Sequence, residues 1–294
     1  MTVTRHARRT TSSVVAAVAS ATVVLTSCAP PGDEPPEGAA SAVATSAAPD
    51  PVGLVGLWRV TGAEGEGTDT WLRLDGREYQ LWRDGGGGFV EGGWRAAEGA
   101  FVGSPPYAVV GSRTGPDGWP EVPWLRASVA YAADGDGWAL LDADGAVVAT
   151  LRVDGAPEVV SPVDDSSVTV PEVTEEVRVA FADPAPLPDG LEPAAAQDLL
   201  GRWVPSVDHP TDPYVDVLDD GTWIGSDGCN EGSGAWAVQA DGRLLATGGP
   251  MTEQWCEGES VPRSLEHAAH VGLDDGLLVL LDTDGTEITR LARG

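Results

Sequence analysis

Two histidines and three acidic turns have the residue types and spacing of candidate metal ligands. His267 and His270 lie three residues apart on a predicted helix, where both imidazoles could reach one metal ion. They have no defined third ligand, so we interpret them as solvated surface histidines. The turns at Asp134, Asp142 and Asp282 offer carboxylates to calcium, but they lack the EF-hand loop with its distal bidentate glutamate, and hairpin turns explain them without an ion. We therefore predict no metal and no other cofactor.

Nucleophilic catalysis requires a nucleophile, a base and a group that orients the base. Ser226 and Ser233 lie near Asp227 and Glu231 in the sequence, but the histidine in the early part of this region is His209, which is followed by a proline. Nothing in the spacing orders these residues as a triad, and the pattern of a nucleophile elbow is absent. The sequence therefore predicts that the protein is not an enzyme.

Carboxylates dominate the composition. The chain has 46 acidic and 17 basic residues, all of the latter arginine, and its net charge is −29. Paired carboxylates such as Asp219 with Asp220 could act as general acid and base, although the sequence gives no way to choose a pair. The negative charge repels phosphate backbones and anionic headgroups. It therefore excludes nucleic acid as a partner and excludes a polybasic membrane contact.

The N-terminal segment has the organisation of an export signal. Three arginines precede a short apolar region from Val14 to Leu25, and a Pro-rich run follows. This region is shorter than the roughly 20 apolar residues of a transmembrane helix. It ends in Leu25-Thr26-Ser27-Cys28, which resembles the bacterial lipobox, in which the cysteine thiol is acylated. We predict a signal peptide over residues 1–27 and a fatty acid such as palmitate on Cys28; the alternative is an ordinary signal with a chance cysteine.

The two remaining cysteines are candidates for a disulfide. With Cys28 assigned to lipid, Cys229 and Cys256 are left, and such a pair is expected to oxidise outside the cytoplasm. Closing this loop is worth roughly 3.5 kcal/mol in the chain-entropy model. The alternative is two buried free thiols, since a metal site needs more ligands than two cysteines supply.

Four landmarks occur twice in the chain, in the same order. They are Leu54-Val55-Gly56-Leu57-Trp58 with Leu199-Leu200-Gly201-Arg202-Trp203, Gly92-Gly93-Trp94 with Gly234-Ala235-Trp236, Val122-Pro123 with Val261-Pro262, and Leu140-Leu141-Asp142-Ala143-Asp144-Gly145 with Leu280-Leu281-Asp282-Thr283-Asp284-Gly285. Their offsets differ only by small loop changes, so we predict two copies of one domain of about 100 residues.

Segments rich in proline and small residues separate the two predicted domains and precede the first. We predict a flexible tether over residues 28–52, domains over 53–155 and 197–294, and a Pro-rich connector over 156–196. Within the connector, the Val- and Thr-rich stretch from Val168 to Phe181 predicts a strand that packs on one of the domains.

Alternating apolar residues and Asp-Gly turns predict hairpins in the second copy. The turns at Asp220-Gly221, Asp241-Gly242 and Asp284-Gly285 each lie between short apolar runs. One helix is predicted from Val261 to about Val271, with Ser260 as its N-cap. The predicted fold class is therefore α+β and mainly β, with two similar domains that are each an antiparallel sheet or small barrel with one helix.

Tryptophans fall into two groups. Those that recur between the copies are predicted to be core residues: Trp58, Trp94, Trp203 and Trp236. Those in predicted loops are better candidates for exposed contacts with a partner: Trp119, Trp124 and Trp255.

The second copy resembles the META domain, which is found in bacterial envelope lipoproteins linked to heat shock. The resemblance rests on Leu200-Gly201-x-Trp203, on Gly225-Ser226-Asp227-Gly228-Cys229-Asn230 with the following Gly232 and Gly234, and on Thr252-Glu253-Gln254-Trp255-Cys256. It covers about residues 198–294 and implies an envelope location, with Asp227, Gly228, Asn230 and Thr252 as motif residues. The first copy is degenerate, because Asp84-Gly85-Gly86-Gly87-Gly88 stands in place of the motif and it has no cysteine.

Together these features predict a non-catalytic protein anchored by lipid to the extracytoplasmic face of the cell membrane. The two META-like domains would bind an envelope protein or small ligand, or maintain the envelope under stress. Two alternatives remain open at this point: a small-ligand carrier with a pocket in its β-domain, and an uncharacterised hydrolase.

Overall fold

The computed structural model describes residues 48–83, 88–111, 121–158, 168–252, 254–255 and 257–294. The segment Ala47–Gly294 forms one compact unit. Its described part contains two large antiparallel sheets joined and covered by short helices. This confirms the predicted fold class, α+β and mainly β with two similar domains.

The first sheet closes into a ring. Its strands are β1 (Gly56–Thr61), β2 (Trp71–Leu74), β3 (Glu78–Trp82), β4 (Gly88–Ala97), β5 (Ala100–Gly103), β6 (Ala108–Gly111), β7 (Ala130–Asp134), β8 (Gly137–Leu141) and β9 (Val147–Arg152). The strand order is β3-β2-β1-β9-β8-β7-β5-β4-β6, and an additional pairing of β3 with β4 closes the ring. Ring closure satisfies the backbone groups that an open sheet would leave unpaired at its edges.

The second sheet is curled into a half-barrel. Its strands are β10 (Glu192–Pro193), β11 (Gly201–Pro205), β12 (Tyr214–Val217), β13 (Thr222–Ser226), β14 (Glu231–Val238), β15 (Leu244–Ala246), β16 (His270–Asp274), β17 (Leu277–Leu281) and β18 (Glu287–Arg293). The order is β10-β16-β17-β18-β11-β12-β13-β14-β15. A single bridge between Arg243 and His270 joins β15 to β16. The sheet begins before residue 197, because β10 pairs with β16.

The two sheets share their chain path and their internal hydrogen bonds. The indole of Trp58 donates to the carbonyl of Leu54 at 2.8 Å, and the indole of Trp203 donates to the carbonyl of Leu199 at 2.6 Å. These bonds tie the first strand of each copy to the turn that precedes it. Repetition at this level of detail supports a duplicated domain.

Four α-helices lie in the described residues, together with a 3-10 helix over Pro51–Leu54. They are α1 (Pro123–Ala127), α2 (Glu175–Ala180), α3 (Ala196–Leu199) and α4 (Val261–His267). Across the part of the chain that the structure describes, no helix is both long enough and apolar enough to cross a membrane.

Helix α4 is shorter than predicted, although it begins after Ser260, the predicted N-cap residue. The helix ends at His267, and Ala268 already has extended backbone angles. His270 belongs to β16, whose backbone pairs with β17 and meets the end of β15 at the bridge. Strand pairing therefore outweighs the helical pattern at this point. The Ser260 side chain makes no capping hydrogen bond.

The connector also differs from prediction, since the stretch from Val168 to Phe181 contains helix α2 rather than a strand. The Thr174 hydroxyl accepts a hydrogen bond from the Val177 amide at 3.3 Å and caps this helix. After the helix, the Phe181 ring packs on the ring of Trp94, with their centroids 5.3 Å apart. The connector is thus attached to the core of the first copy.

The last residues of the predicted tether are part of the fold. The Asp50 carboxylate accepts from the Val52 amide at 2.9 Å at the start of the 3-10 helix. The Tyr131 hydroxyl donates to the carbonyl of Pro49 at 2.6 Å. The signal segment, Cys28 and the tether up to residue 47 lie outside the described residues.

The two copies pack against each other through equivalent strands. Ala97 and Val102 of the first copy form a buried apolar cluster with Ala235 and Leu245 of the second. Strand β4 contacts β15, and β5 contacts β14. This reciprocal arrangement is that of an isologous interface, as in a two-fold homodimer.

The recurring tryptophans are core residues, as predicted: Trp58, Trp94, Trp203 and Trp236 are all buried. Trp255 is exposed, in agreement with its predicted loop position. Trp124 is buried in α1, so its predicted exposure is wrong; its indole donates to Glu66 Oε1 at 2.7 Å. Trp119 lies outside the described residues.

Substitution of the core tryptophans tests this division. We expect Trp94→Ala and Trp203→Ala each to lower the free energy of unfolding by about 3–5 kcal/mol, because each leaves a cavity in a filled ring. Trp255→Ala is the matched control and should change it by less than about 0.5 kcal/mol. Urea denaturation followed by circular dichroism measures the three values, and equal losses for all three variants would contradict the assignment.

Candidate functional site

The motif residues form a tight turn between β13 and β14. The Asp227 carboxylate accepts hydrogen bonds from the amides of Cys229 and Asn230, at 2.9 and 2.7 Å. Gly228 has a φ of +90°, and a side chain there would collide with Thr211. Glycine is therefore required at this position for both its backbone conformation and its lack of a Cβ atom.

Asn230 is the only asparagine of the chain, and its carboxamide is fully used inside the protein. The side-chain nitrogen donates to Asp227 Oδ2 at 2.9 Å and to the carbonyl of Gln254 at 2.8 Å. The side-chain oxygen accepts from the Thr252 hydroxyl at 2.7 Å and from the Gln254 amide at 2.9 Å. With Asn230 only 3% exposed, both donors and both acceptor positions of its amide are satisfied.

A third loop is attached to the same turn. The Thr211 hydroxyl donates to the carbonyl of Asp227 at 2.9 Å. The Ser226 hydroxyl donates to the carbonyl of Asn230 and accepts from the amide of Gly228, both at 2.9 Å. Three loops of the second copy are thus joined at one end of the sheet: 206–213, 227–230 and 249–260. We call this end the clamp, with Asn230 at its centre.

The electrostatics of the clamp favour a charged Asp227. Burial alone would raise the pKa of its carboxyl group. The hydrogen bonds from the Asn230 side chain and from the amides of Asn230 and Cys229 outweigh burial, and Arg263 adds a favourable charge. The pKa of Asp227 is therefore lowered, and the turn is held together by an ionised carboxylate at neutral pH.

A cavity of about 300 Å³ lies beside the clamp. It is lined by residues that include Arg202, Asp208, His209, Asp212 and Tyr214. The guanidinium of Arg202 stacks on the Tyr214 ring, 3.9 Å from its centroid.

Within the described ranges, Ser226 and the histidines His209, His267 and His270 each have separate surroundings. Both hydrogen bonds of the Ser226 hydroxyl are to backbone atoms of its own turn. His209 Nε2 lies 3.4 Å from Glu259 Oε2 across two loops of the clamp. His267 Nδ1 is 2.7 Å from the carbonyl oxygen of Arg263, whereas His270 is buried on β16. The predicted helical pair of His267 and His270 is therefore wrong, and so is the predicted surface exposure of His270.

The acidic turns have internal roles. The carboxylates of Asp142 and Asp282 each accept from the amides two and four residues further on, at 2.8 to 3.0 Å. Hairpin turns thus account for both, as predicted. Among the described residues, no group of three or more histidine, cysteine, aspartate or glutamate side chains is placed to hold a metal ion.

The two candidate carboxylates, Asp219 and Asp220, lie in different surroundings. Hydrogen bonds from Thr222 and the neighbouring Arg126 lower the pKa of Asp220, against the opposing effect of burial. The Asp220 carboxylate forms an ion pair with Arg126 of the first copy. An ionised, paired carboxylate does not supply a general acid at neutral pH. Asp219 is exposed beside it.

Sequence reasoning identified Asp227, Gly228, Asn230 and Thr252, and the structure places all four in the clamp. Cys229 lies in the same turn, but Cys256 lies outside the described residues, so their pairing stays a prediction. Thr211 and Gln254 were missed. They contribute a hydroxyl and backbone atoms from 16 and 24 residues away, and the sequence carries no signal for such contacts.

Comparisons of this chain with protein-family models, with curated proteins and with solved structures each gave no match. The resemblance of the second copy to the META domain therefore rests on its motif residues.

Asn230 substitutions test the clamp. We expect Asn230→Ala to lower the free energy of unfolding by about 2–4 kcal/mol, because buried partners lose their hydrogen bonds. Asn230→Asp should be at least as destabilising at neutral pH, since it sets a second carboxylate against Asp227. Hydrogen exchange should become faster in residues 249–260 of both variants and stay unchanged in the first copy. Unchanged exchange in this loop would contradict the role of Asn230.

Acid should weaken the clamp in a defined direction. The pKa of Asp227 is lowered in the folded state, so its stabilisation is present above the unfolded-state pKa of about 3.9 and is lost as pH falls through the lower folded-state value. Comparing wild type with Asp227→Asn by urea denaturation should show the largest difference near neutral pH and a shrinking difference below about pH 4. Asp219→Asn is the control, and a constant difference across this range would refute the assignment.

Proposed function

We propose that this chain is a non-catalytic lipoprotein of the extracytoplasmic face of the cell membrane. Cys28 carries the lipid, and two META-like domains bind an envelope protein or maintain the envelope under stress. The observation that carries the proposal is the clamp: the polar atoms of its most specific motif bond to one another and to backbone. A motif used in this way stabilises a binding surface and supplies no free nucleophile or base.

The filled interiors of both sheets favour protein binding over ligand carriage. The first core contains Trp58, Tyr79 and Trp94, and the second contains Trp203 and Trp223, all of them buried. Ligand carriers of β architecture keep a cavity in the position that these rings occupy. The small-ligand carrier is therefore the weaker alternative.

The charge of the protein supports attachment by lipid rather than by surface contact. A net charge of −29 repels an anionic membrane at distances up to about one Debye length, roughly 8–10 Å. A flexible tether of the predicted length has an average span of roughly 25 Å. Such a tether would keep the acidic domains clear of the headgroups while acyl chains on Cys28 hold the protein at the membrane.

Replacement of the acylated cysteine tests the proposal. Cells expressing the full chain are fed an alkyne-bearing palmitate, and the purified protein is analysed by click labelling and intact mass. We expect the wild type to begin at Cys28, to carry fatty acid and to fractionate with membranes. Cys28→Ser should lose both the label and the membrane association. Ser27→Ala is the matched control, because it keeps a small residue before the cysteine.

Two results would overturn the proposal. An unlabelled wild type, or one still carrying residues 1–27, would remove the lipid anchor. Turnover of an ester, peptide or glycan library that is abolished by one substitution in the purified mature protein would remove the non-catalytic role.

A further inference from the structure

We propose that Trp255 and the carboxylates around the clamp form a docking surface for a basic, arginine- or lysine-rich segment of a partner protein. This inference rests on the proposed binding function and names the class of partner. It depends on three properties of the surface: the exposure of one indole, the rigidity of its backbone and the charge of the clamp loops.

The Trp255 indole is unusually accessible for this protein. Its side chain is 82% exposed, whereas Trp94, Trp203 and Trp223 are at most 1% exposed. Tryptophan is among the residues that contribute most to protein interfaces, because it buries a large area at a small loss of conformational freedom. An indole left in water offers this gain to a partner.

The backbone that carries Trp255 is fixed before any partner binds. The amide and the carbonyl of Gln254 are both bonded to the buried side chain of Asn230, at 2.9 and 2.8 Å. Thr252 is bonded to the same carboxamide. Preorganisation of this kind reduces the entropy lost on binding.

The charge of the clamp loops selects the partner. These loops present exposed carboxylates at Asp208, Asp212 and Glu257, and Glu231 is exposed at the start of β14, directly after the turn. The arginines beside these carboxylates already interact with other acidic residues of the protein. Arg202 is paired with Asp216 at 3.1 Å, and the charge of Arg263 acts on Asp227.

An exposed indole on a loop that is joined to other loops with exposed carboxylates complements a cationic segment. A guanidinium or ammonium group can lie over the indole while neighbouring basic groups pair with the acids. Anionic lipid headgroups would be repelled by the same carboxylates, which makes a membrane surface the poorer occupant in spite of the exposed tryptophan.

Nuclear magnetic resonance of the complete mature chain tests the surface directly. The probe is a twelve-residue peptide of alternating arginine and glycine, at physiological ionic strength. Trp255→Phe identifies the Trp255 indole resonance among those of the 11 tryptophans. We expect this resonance to shift in a saturable manner, and the resonances of the core residues Trp94 and Trp203 to stay in place.

Calorimetry with matched variants separates specific docking from general attraction between opposite charges. Trp255→Ala should weaken peptide binding about three- to thirty-fold, and Val147→Ala, at an exposed position of the first copy, should leave it unchanged. Glu257→Gln should weaken binding more than Asp144→Asn, which removes one exposed carboxylate from the first copy.

Three outcomes would overturn the inference. They are an unshifted Trp255 resonance, equal peptide affinities of wild type and Trp255→Ala, and Trp255-dependent binding to vesicles of phosphatidylglycerol in place of the peptide. Each of them leaves labelling at Cys28 unaffected, so failure of this inference is distinguishable from failure of the proposed lipoprotein function.

Discussion

The carboxamide of Asn230 joins two loops of the second copy, and Thr211 attaches a third loop to the same turn. Its two donors and two acceptor positions are all occupied, and the partners come from its own turn and from the loop that carries Trp255. A buried amide that loses one partner leaves a polar group without water or protein to bond. The arrangement therefore holds as a unit, and the conformation of the surface loops depends on it.

The two copies have similar sheets, but they differ at the end of the sheet where the second copy has the clamp. Both have the Trp-to-carbonyl bond at the first strand and the same aspartate-centred turn before the last. Those features hold the rings and recur because each copy must fill its own core. The clamp residues of the second copy have no counterpart in the sequence of the first, which has a glycine run at that position. Duplication has thus kept the scaffold in both copies and the clamp in one.

The packing of the copies adds a second level of organisation. The contact between them uses the same two strands of each copy, and the ion pair of Arg126 with Asp220 lies across it. The described parts of both copies belong to one compact unit, in which the second copy contributes the clamp. The proposed binding function rests on this packing and on the inward-directed polar motif.

The sequence by itself determined the duplication, the β-rich class, the core tryptophans and the motif residues of the clamp. These features depend on short-range patterns, namely Asp-Gly turns, alternating apolar residues and repeated landmarks, which neighbouring residues suffice to define.

The features that depend on contacts between distant parts of the chain were decided only by the tertiary structure. The residues from His270 onward form strand β16 because β17 and the end of β15 supply backbone hydrogen-bond partners. The local spacing of apolar residues, which predicted a helix here, carries no information about these partners. Trp124 is buried because its indole reaches Glu66, far away in the sequence. Thr211 joins the clamp through its hydroxyl, and Gln254 joins it through its backbone amide and carbonyl. Such groups occur throughout any sequence, so they do not mark these two residues in advance. Such contacts are selected only by the folded geometry, because their energy depends on distance and burial rather than on residue type.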